Sequence, residues 1–138
     1  MTRSRGDAPG ISMELEVPFH DVDSLQIVWH GHYLKYLEVA RTALMRSRGL
    51  DVAEIVALGF RQVVIETKCR YAFPLRYADK FRIDAWFRDV QNRLNIGYEI
   101  VNLTENRRSL HGHTILVTTD ADGRMLLETP DVLLQRLR

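Results

Sequence analysis

Tyr33, Leu37, Ala40 and Leu44 are spaced four, three and four residues apart, with Tyr36 and Ala43 beside them. That spacing lays one apolar stripe along a helix, with Lys35, Glu38, Arg41 and Thr42 on or near the opposite side. Gly49 is a natural stop just past the end, so the pattern predicts one long helix over 33–48. Asp51 followed by Glu54 resembles a capping box and predicts a short helix over 52–58, closed by Gly59. From Arg61 onward the period changes to two. Val63, Ile65, Cys69 and Tyr71 alternate with polar residues, as do Phe81, Ile83, Ala85 and Phe87, and then Leu94, Ile96, Tyr98 and Ile100. Strands are predicted there and over 108–119, separated by turn signals at 77–79, 91–93, 105–106 and 120–123. A short strand over 14–20 precedes the long helix, and another is expected over 125–128. Thr129 as N-cap with Pro130 at the first helical position opens a terminal helix through Leu137. Residues 1–12, polar with two glycines and a proline, read as a flexible tail, leaving 13–138 as a single domain.

The strands form an antiparallel run with one apolar face, and that face must be covered. The 33–48 helix is the one sizeable cover available. The predicted architecture is therefore α+β, a curved antiparallel sheet wrapped around a central helix. Trp86 departs from the pattern, because it falls on the polar face with Arg82 and Arg88. Two readings stand for it: a partly exposed aromatic, or a subunit contact.

Composition narrows the function. The chain has 138 residues, 46% hydrophobic and 27% charged, which suits one globular domain. No apolar run approaches a membrane span. With 19 Lys and Arg against 18 Asp and Glu, the net charge of +1 gives no argument for nucleic acid or an anionic membrane surface. A single cysteine, Cys69, cannot form an internal disulfide or a Cys-rich zinc site. It fits a reducing compartment and reads as a small core residue. With no export signal in the sequence, a cytoplasmic location is expected.

The stretch from His20 to Tyr33 carries the chemistry. Asp21, Asp23, His20, His30 and His32 crowd into thirteen residues just before the long helix. Helix N-termini present unpaired N–H groups and a partial positive charge, which suit an anion or a developing oxyanion. A carboxylate beside them is a candidate general base or nucleophile. Other readings stay open. Either Asp could cap a turn, His30 or His32 could belong only to the helix cap, and the cluster has ligand types that suit a metal, although its spacing matches no zinc motif. His111 and His113 share a strand face without neighbours that would make them a site, and read as structural.

The stretch resembles the 4-hydroxybenzoyl-CoA thioesterase family, the hotdog-fold acyl-CoA thioesterases, and its YbgC-like branch in particular. The resemblance rests on Phe19, Asp21-Val22-Asp23, Ile27-Val28-Trp29-His30 and the run Tyr33-Leu34-Lys35-Tyr36-Leu37-Glu38-Val39-Ala40-Arg41, and extends over about 13–128. It implies hydrolysis of an acyl thioester. Asp23 would be the catalytic carboxylate, His30 a second catalytic residue, and a backbone N–H near His30 the donor to the thioester carbonyl. Trp29, Tyr33, Ser24 and Gln26 would touch substrate. Ser24-Leu25-Gln26 stands where the family has a small glycine-rich turn, which bears on the shape of the acyl pocket. The resemblance implies no metal and no cofactor. It implies an acyl-CoA or acyl carrier protein substrate and a homo-oligomer, a dimer of hotdogs or a tetramer, with no nucleic-acid or membrane partner. A dehydratase acting on hydroxyacyl thioesters and a non-catalytic acyl-thioester-binding protein of a biosynthetic cluster are the rival readings. Arg88, Arg93, Arg107 and Arg108, near strand ends or turns, are candidates for the phosphates of coenzyme A, with none preferred.

Overall fold

The computed structural model describes residues 10–138. Five strands, β1 (Gly10–Glu16), β2 (Phe60–Tyr71), β3 (Lys80–Asp89), β4 (Leu94–Asn102) and β5 (Arg107–Asp120), form one antiparallel sheet in the order β1-β3-β4-β5-β2. The helices are α1 (His30–Arg46), α2 (Val52–Ala57) and α3 (Asp131–Leu137). The expected stripe of α1 is buried as predicted: Tyr33, Leu37, Ala40 and Leu44 are all inaccessible or nearly so. They pack on Phe81, Ile83, Ala85, Ile96, Tyr98 and Ile100 from the inner face of the sheet. The α+β layout of a curved sheet around one long helix is the observed one.

The helix begins three residues before the expected position, at His30, and ends at Arg46. Trp29 holds extended dihedrals and is the N-cap, while Gly49 turns the chain at φ +67° just past the end. The capping box at Asp51 is present in both directions. At the other end of the chain two expectations fail. Residues 125–128 form no strand; Met125 makes only an isolated bridge to Thr119. Thr129 does not cap α3, because its hydroxyl donates to the Val90 carbonyl instead, and Pro130 takes the N-cap place.

Two strand expectations change with the register. A bulge between Val64 and Glu66 takes up one extra residue in β2. It puts Val64, not Val63, on the face shared with Cys69 and Tyr71, because one inserted residue reverses the alternation. Trp86 is buried at 6% exposure, although it lies on the outer face. Its cross-strand partners are Gly10 and Gly97. The indole lies over Gly97 so closely that a Cβ there would fall 2.6 Å from the ring. Two glycines thus remove the neighbours that would have lifted it into solvent. Cys69 is half-buried against the core, and burial raises its thiol pKa.

The first strand opens at Gly10, so 10–12 of the expected tail are paired: Gly10, Ile11 and Ser12 oppose Trp86, Ala85 and Asp84. Residues 1–9 lie outside the described residues. The expected stretch 14–20 ends as a strand at Glu16 and continues into a 3-10 turn, Phe19–Asp21.

A chain beginning at Met13 should therefore melt lower than one beginning at Gly10. It loses three residues of pairing on β3 and the cover beside Trp86. Differential scanning fluorimetry should show a fall of about 3–8 °C, the equivalent of ~1–2 kcal/mol. Equal melting temperatures would show that this end of β1 contributes nothing.

Candidate active site

Asp21 and Asp23 sit two residues apart and have different environments. Asp21 is fully buried. Its Oδ1 accepts from Lys35 Nζ at 2.6 Å and its Oδ2 from Tyr36 Oη at 2.6 Å. His20 and His32 approach Oδ1 at 3.5 and 3.8 Å. Its backbone carbonyl accepts from the Trp29 amide. Burial acts to raise the Asp21 pKa, but the Lys35 and Tyr36 hydrogen bonds and the Lys35 and His32 charges bring it below the ordinary carboxylate value. Burial and the Asp21 carboxylate together drive the Tyr36 phenol strongly upward. A carboxylate held this way by two side chains of α1 is an anchor.

Asp23 is half-buried and only partly engaged. Its Oδ1 accepts from the Leu25 amide at 2.8 Å, and its Oδ2 has no partner among the described residues. The loop between Asp23 and Ile27 closes on itself through Asp23 N–H to Ile27 O and Gln26 N–H to Asp23 O. Gln26 takes φ +64°, the left-handed region where glycine is easiest. This is the turn in which Ser24-Leu25-Gln26 stands for smaller residues.

A cavity of about 380 Å³ brings Asp23, His30 and Tyr33 together with Leu25, Ile27 and the segment 71–74. The first turn of α1 forms one edge of it. Trp29 offers no side-chain acceptor to that turn; the His32 amide donates to the Trp29 carbonyl, and the His30 and Gly31 amides have no partner among the described residues and are left for solvent or ligand. Tyr33 is buried and its hydroxyl accepts the Leu75 amide at 3.1 Å; it is a wall whose polar end is already used. Trp29 is half exposed and packs its ring beside His30 and His32, over Gly31. Ser24 and Gln26 are exposed. Trp29, Ser24 and Gln26 do not line the cavity. Tyr71, Phe73 and Pro74 do, and sequence reasoning missed them; the one signal was an aromatic-proline segment closing a strand. Among the described residues no group of three His, Cys, Asp or Glu side chains is placed to hold a metal ion. A second cavity of about 220 Å³, at the far end of α1 between Met45, Ile55, Val64 and Leu116, shares no residue with the first.

The Asp21 anchor has a pH signature. Its folded pKa lies below the unfolded value near 3.8, so its stabilisation is complete above that value and disappears as pH falls through the folded pKa. Asp21→Asn should cost about 1–3 kcal/mol at neutral pH, because Lys35 and Tyr36 lose a charged acceptor. The penalty should shrink below pH 4. Melting curves from pH 7 to 2.5 test this, and a variant penalty that stays constant across that range would refute it.

Comparison with known proteins fits the geometry. Residues 17–137 match the family model described as the Thioesterase-like superfamily. A protein of Synechocystis sp. (strain ATCC 27184 / PCC 6803 / Kazusa), provisionally named an esterase, is 33% identical over 120 residues, covering 86% of this chain and 72% of that protein. YneP of Bacillus subtilis (strain 168), provisionally named an acyl-CoA thioesterase, is 31% identical over 90 residues, 64% of this chain and 65% of that one. Among solved structures, a 4-hydroxybenzoyl-CoA thioesterase variant in complex with 4-hydroxybenzoyl-CoA superposes with a TM-score of 0.84 at 18% identity, over 95% of this chain and all of the other. A sheet wrapped on one helix, an Asp-x-Asp loop at that helix's N-terminus and a match over nearly the whole chain agree: the chain belongs to the Thioesterase-like superfamily.

Proposed function

We propose that this protein hydrolyses acyl thioesters of coenzyme A or of an acyl carrier protein to the free acid and thiol, with Asp23 as base or nucleophile. The observation that carries the assignment of Asp23 is the contrast between the two aspartates. One is buried and saturated, while the other keeps an oxygen with no partner among the described residues, beside an open cavity and a helix N-terminus. The relatives support the substrate class: YneP is named for acyl-CoA, and the 4-hydroxybenzoyl-CoA thioesterase binds an aryl-CoA ester.

In this reading the thioester carbonyl lies against the first-turn amides of α1. Their N–H groups stabilise the oxyanion that develops when the carbonyl carbon becomes tetrahedral; one such donor is worth ~2.7–4 kcal/mol elsewhere. Asp23 then follows one of two routes. It takes a proton from a water that attacks the carbon, or it attacks directly to give a mixed anhydride that water opens. In the first route the proton held by Asp23 passes to the departing thiolate; in the second the thiolate leaves as the anhydride forms, and water's attack on the anhydride frees the carboxylate and supplies the thiol's proton. His30, on the same cavity wall, orients the water or protonates the leaving thiolate. Leu25, Phe73 and Tyr71 supply apolar surface for the acyl group.

A second copy completes the site. Strand β2 is twelve residues long and lies at the sheet edge. It exposes Val63, Val64, Ile65 and Tyr71, each at 43–48%. A long apolar edge is a template for pairing, and antiparallel pairing of two β2 edges satisfies two-fold symmetry with one continuous sheet. Tyr71 lies on this edge and lines the cavity, so pairing also walls the site. Sedimentation should show dimers or tetramers. Val64→Lys with Ile65→Lys should give monomers of low activity, whereas an active wild-type monomer would overturn the assembly.

The chemical assignment is tested by Asp23→Asn. It keeps the shape and the hydrogen bond to Leu25 but has no anionic oxygen. Thioester hydrolysis, followed by thiol release, should fall about 10²–10⁴-fold with unchanged circular dichroism. His30→Ala should fall less, since the backbone donor remains. A folded Asp23→Asn variant with near wild-type turnover would transfer the role to another residue.

A further inference from the structure

Several arginines of the chain are committed to acceptors: Arg41 to Tyr98 and Glu38, Arg46 to Asp51, Arg82 and Arg108 to Glu99. Arg76 and Arg107 are not. Neither guanidinium has a hydrogen-bond or ion-pair partner among the described residues, both residues are exposed, and both face the same ring. The Arg107 guanidinium carbon lies 4.3 Å from the Phe73 ring centroid and that of Arg76 lies 5.9 Å from it. Phe73 is a wall of the Asp23 cavity, and Arg76 bridges by its backbone to Ile27, another wall. The two free cations therefore stand at the rim of that cavity.

The segment carrying Arg76 and Phe73 is fixed, and Arg107 opens strand β5. Asp79 Oδ2 accepts from the Arg76 amide at 2.8 Å and from Asn102 Nδ2 at 2.9 Å, while Leu75 is tied to Val28 and Tyr33. A guanidinium stacked on a ring keeps its N–H edges free, and that edge matches a phosphate in two parallel hydrogen bonds. Arginine left without a carboxylate partner at a cavity mouth is suited to an anion brought by the ligand. On the same segment Tyr77 meets Phe19 edge to face at 5.4 Å, and the two rings are 57% and 72% exposed. Exposed aromatic faces of this kind stack nucleobases.

We propose that Arg76 and Arg107, spread on Phe73, form the binding site for the phosphate groups of the substrate's thiol half, the phosphorylated pantetheine arm. The assignment rests on the thioesterase reading above. Coenzyme A and an acyl carrier protein both carry a phosphate on pantetheine. Coenzyme A adds a second phosphate and a phosphorylated nucleoside, for which the Phe19–Tyr77 pair provides a stacking surface.

The test compares one acyl group carried on coenzyme A, on 4′-phosphopantetheine and on unphosphorylated pantetheine, in wild type, Arg76→Gln, Arg107→Gln and the double variant. The readout is the ratio of kcat/KM for each phosphorylated ester to that for the unphosphorylated one. Each substitution should lower the ratio about tenfold, the worth of one charge-assisted hydrogen bond, and should act mainly through KM. A loss confined to acyl-CoA assigns the pair to the nucleotide end. A loss on both phosphorylated esters assigns it to the 4′-phosphate that carrier proteins share. Either upholds the site. Calorimetry of free coenzyme A should show weaker binding in the double variant, with a flatter dependence on salt. A ratio within about twofold of wild type, with unchanged coenzyme A affinity, would overturn the proposal; equal losses on all three esters would mean that the stack only supports the segment. Should the double glutamine variant fail to fold, Arg76→Lys with Arg107→Lys, which keeps the charge without the planar fork, is read by the same ratio. A wild type that releases no thiol from any ester would count against the thioesterase reading, while the coenzyme A calorimetry would still decide this site.

Discussion

The buried carboxylate of Asp21 fixes the geometry of everything around it. An ionised group taken out of water is costly unless it is fully paired. Its pairing comes from Lys35 and Tyr36, adjacent residues in the second turn of α1. Both can reach one carboxylate only at a single rotation of the helix about its axis. The same residue receives the Trp29 amide on its carbonyl, so the loop from 21 to 29 is pinned at both ends. Asp23 makes no such buried pairs; its hydrogen bonds are with Leu25, Gln26 and Ile27 of the turn that the frame holds. The division of labour between two aspartates is thus a division between desolvation and access.

The opposite wall of the cavity is tied to the same frame. Val28 donates to Leu75, Tyr33 accepts from Leu75, and Ile27 bridges Arg76. The connector between β2 and β3 therefore docks on the loop and on the first turn of α1 at once. Its far end is held to the sheet by Asp79 and Asn102. A cavity built between elements joined by backbone hydrogen bonds keeps its shape without a ligand, which is what preorganised donors at a helix N-terminus require.

How far the sequence could reach depended on the range of the interaction involved. The stripe of α1 and the capping box at Asp51 are local patterns, and both were legible. So was the crowding of Asp and His before the helix, but not which aspartate is buried, because that depends on the rotation of α1 that brings Lys35 and Tyr36 onto the carboxylate of Asp21. Trp86 looked exposed from its own strand; its burial comes from Gly10 and Gly97, which become its neighbours only once the register is known. The face of Val63 was reversed by a bulge that no residue type announces. Tyr71, Phe73 and Pro74 are distant in sequence from Asp23 and join it only through the docking of the connector. The start of β1 was missed because its pairing partner, β3, lies some seventy residues away.

The turn after Asp23 sets the shape of one side of the cavity. Leu25 is 74% exposed yet contributes a wall to the cavity, and Gln26 accepts a left-handed backbone to close the turn. A glycine there would be free of that strain, which for other residues costs roughly 1–2 kcal/mol. The turn nevertheless returns the chain so that Asp23 N–H meets Ile27 O, and the anchor at Asp21 is untouched. The strain is local, and its consequence is an apolar side chain at the cavity mouth two residues from Asp23. Substitution at 24–26 therefore acts on the turn that Asp23 itself closes through Leu25, Gln26 and Ile27, while the Asp21 pairs behind it are made by Lys35 and Tyr36, outside that turn.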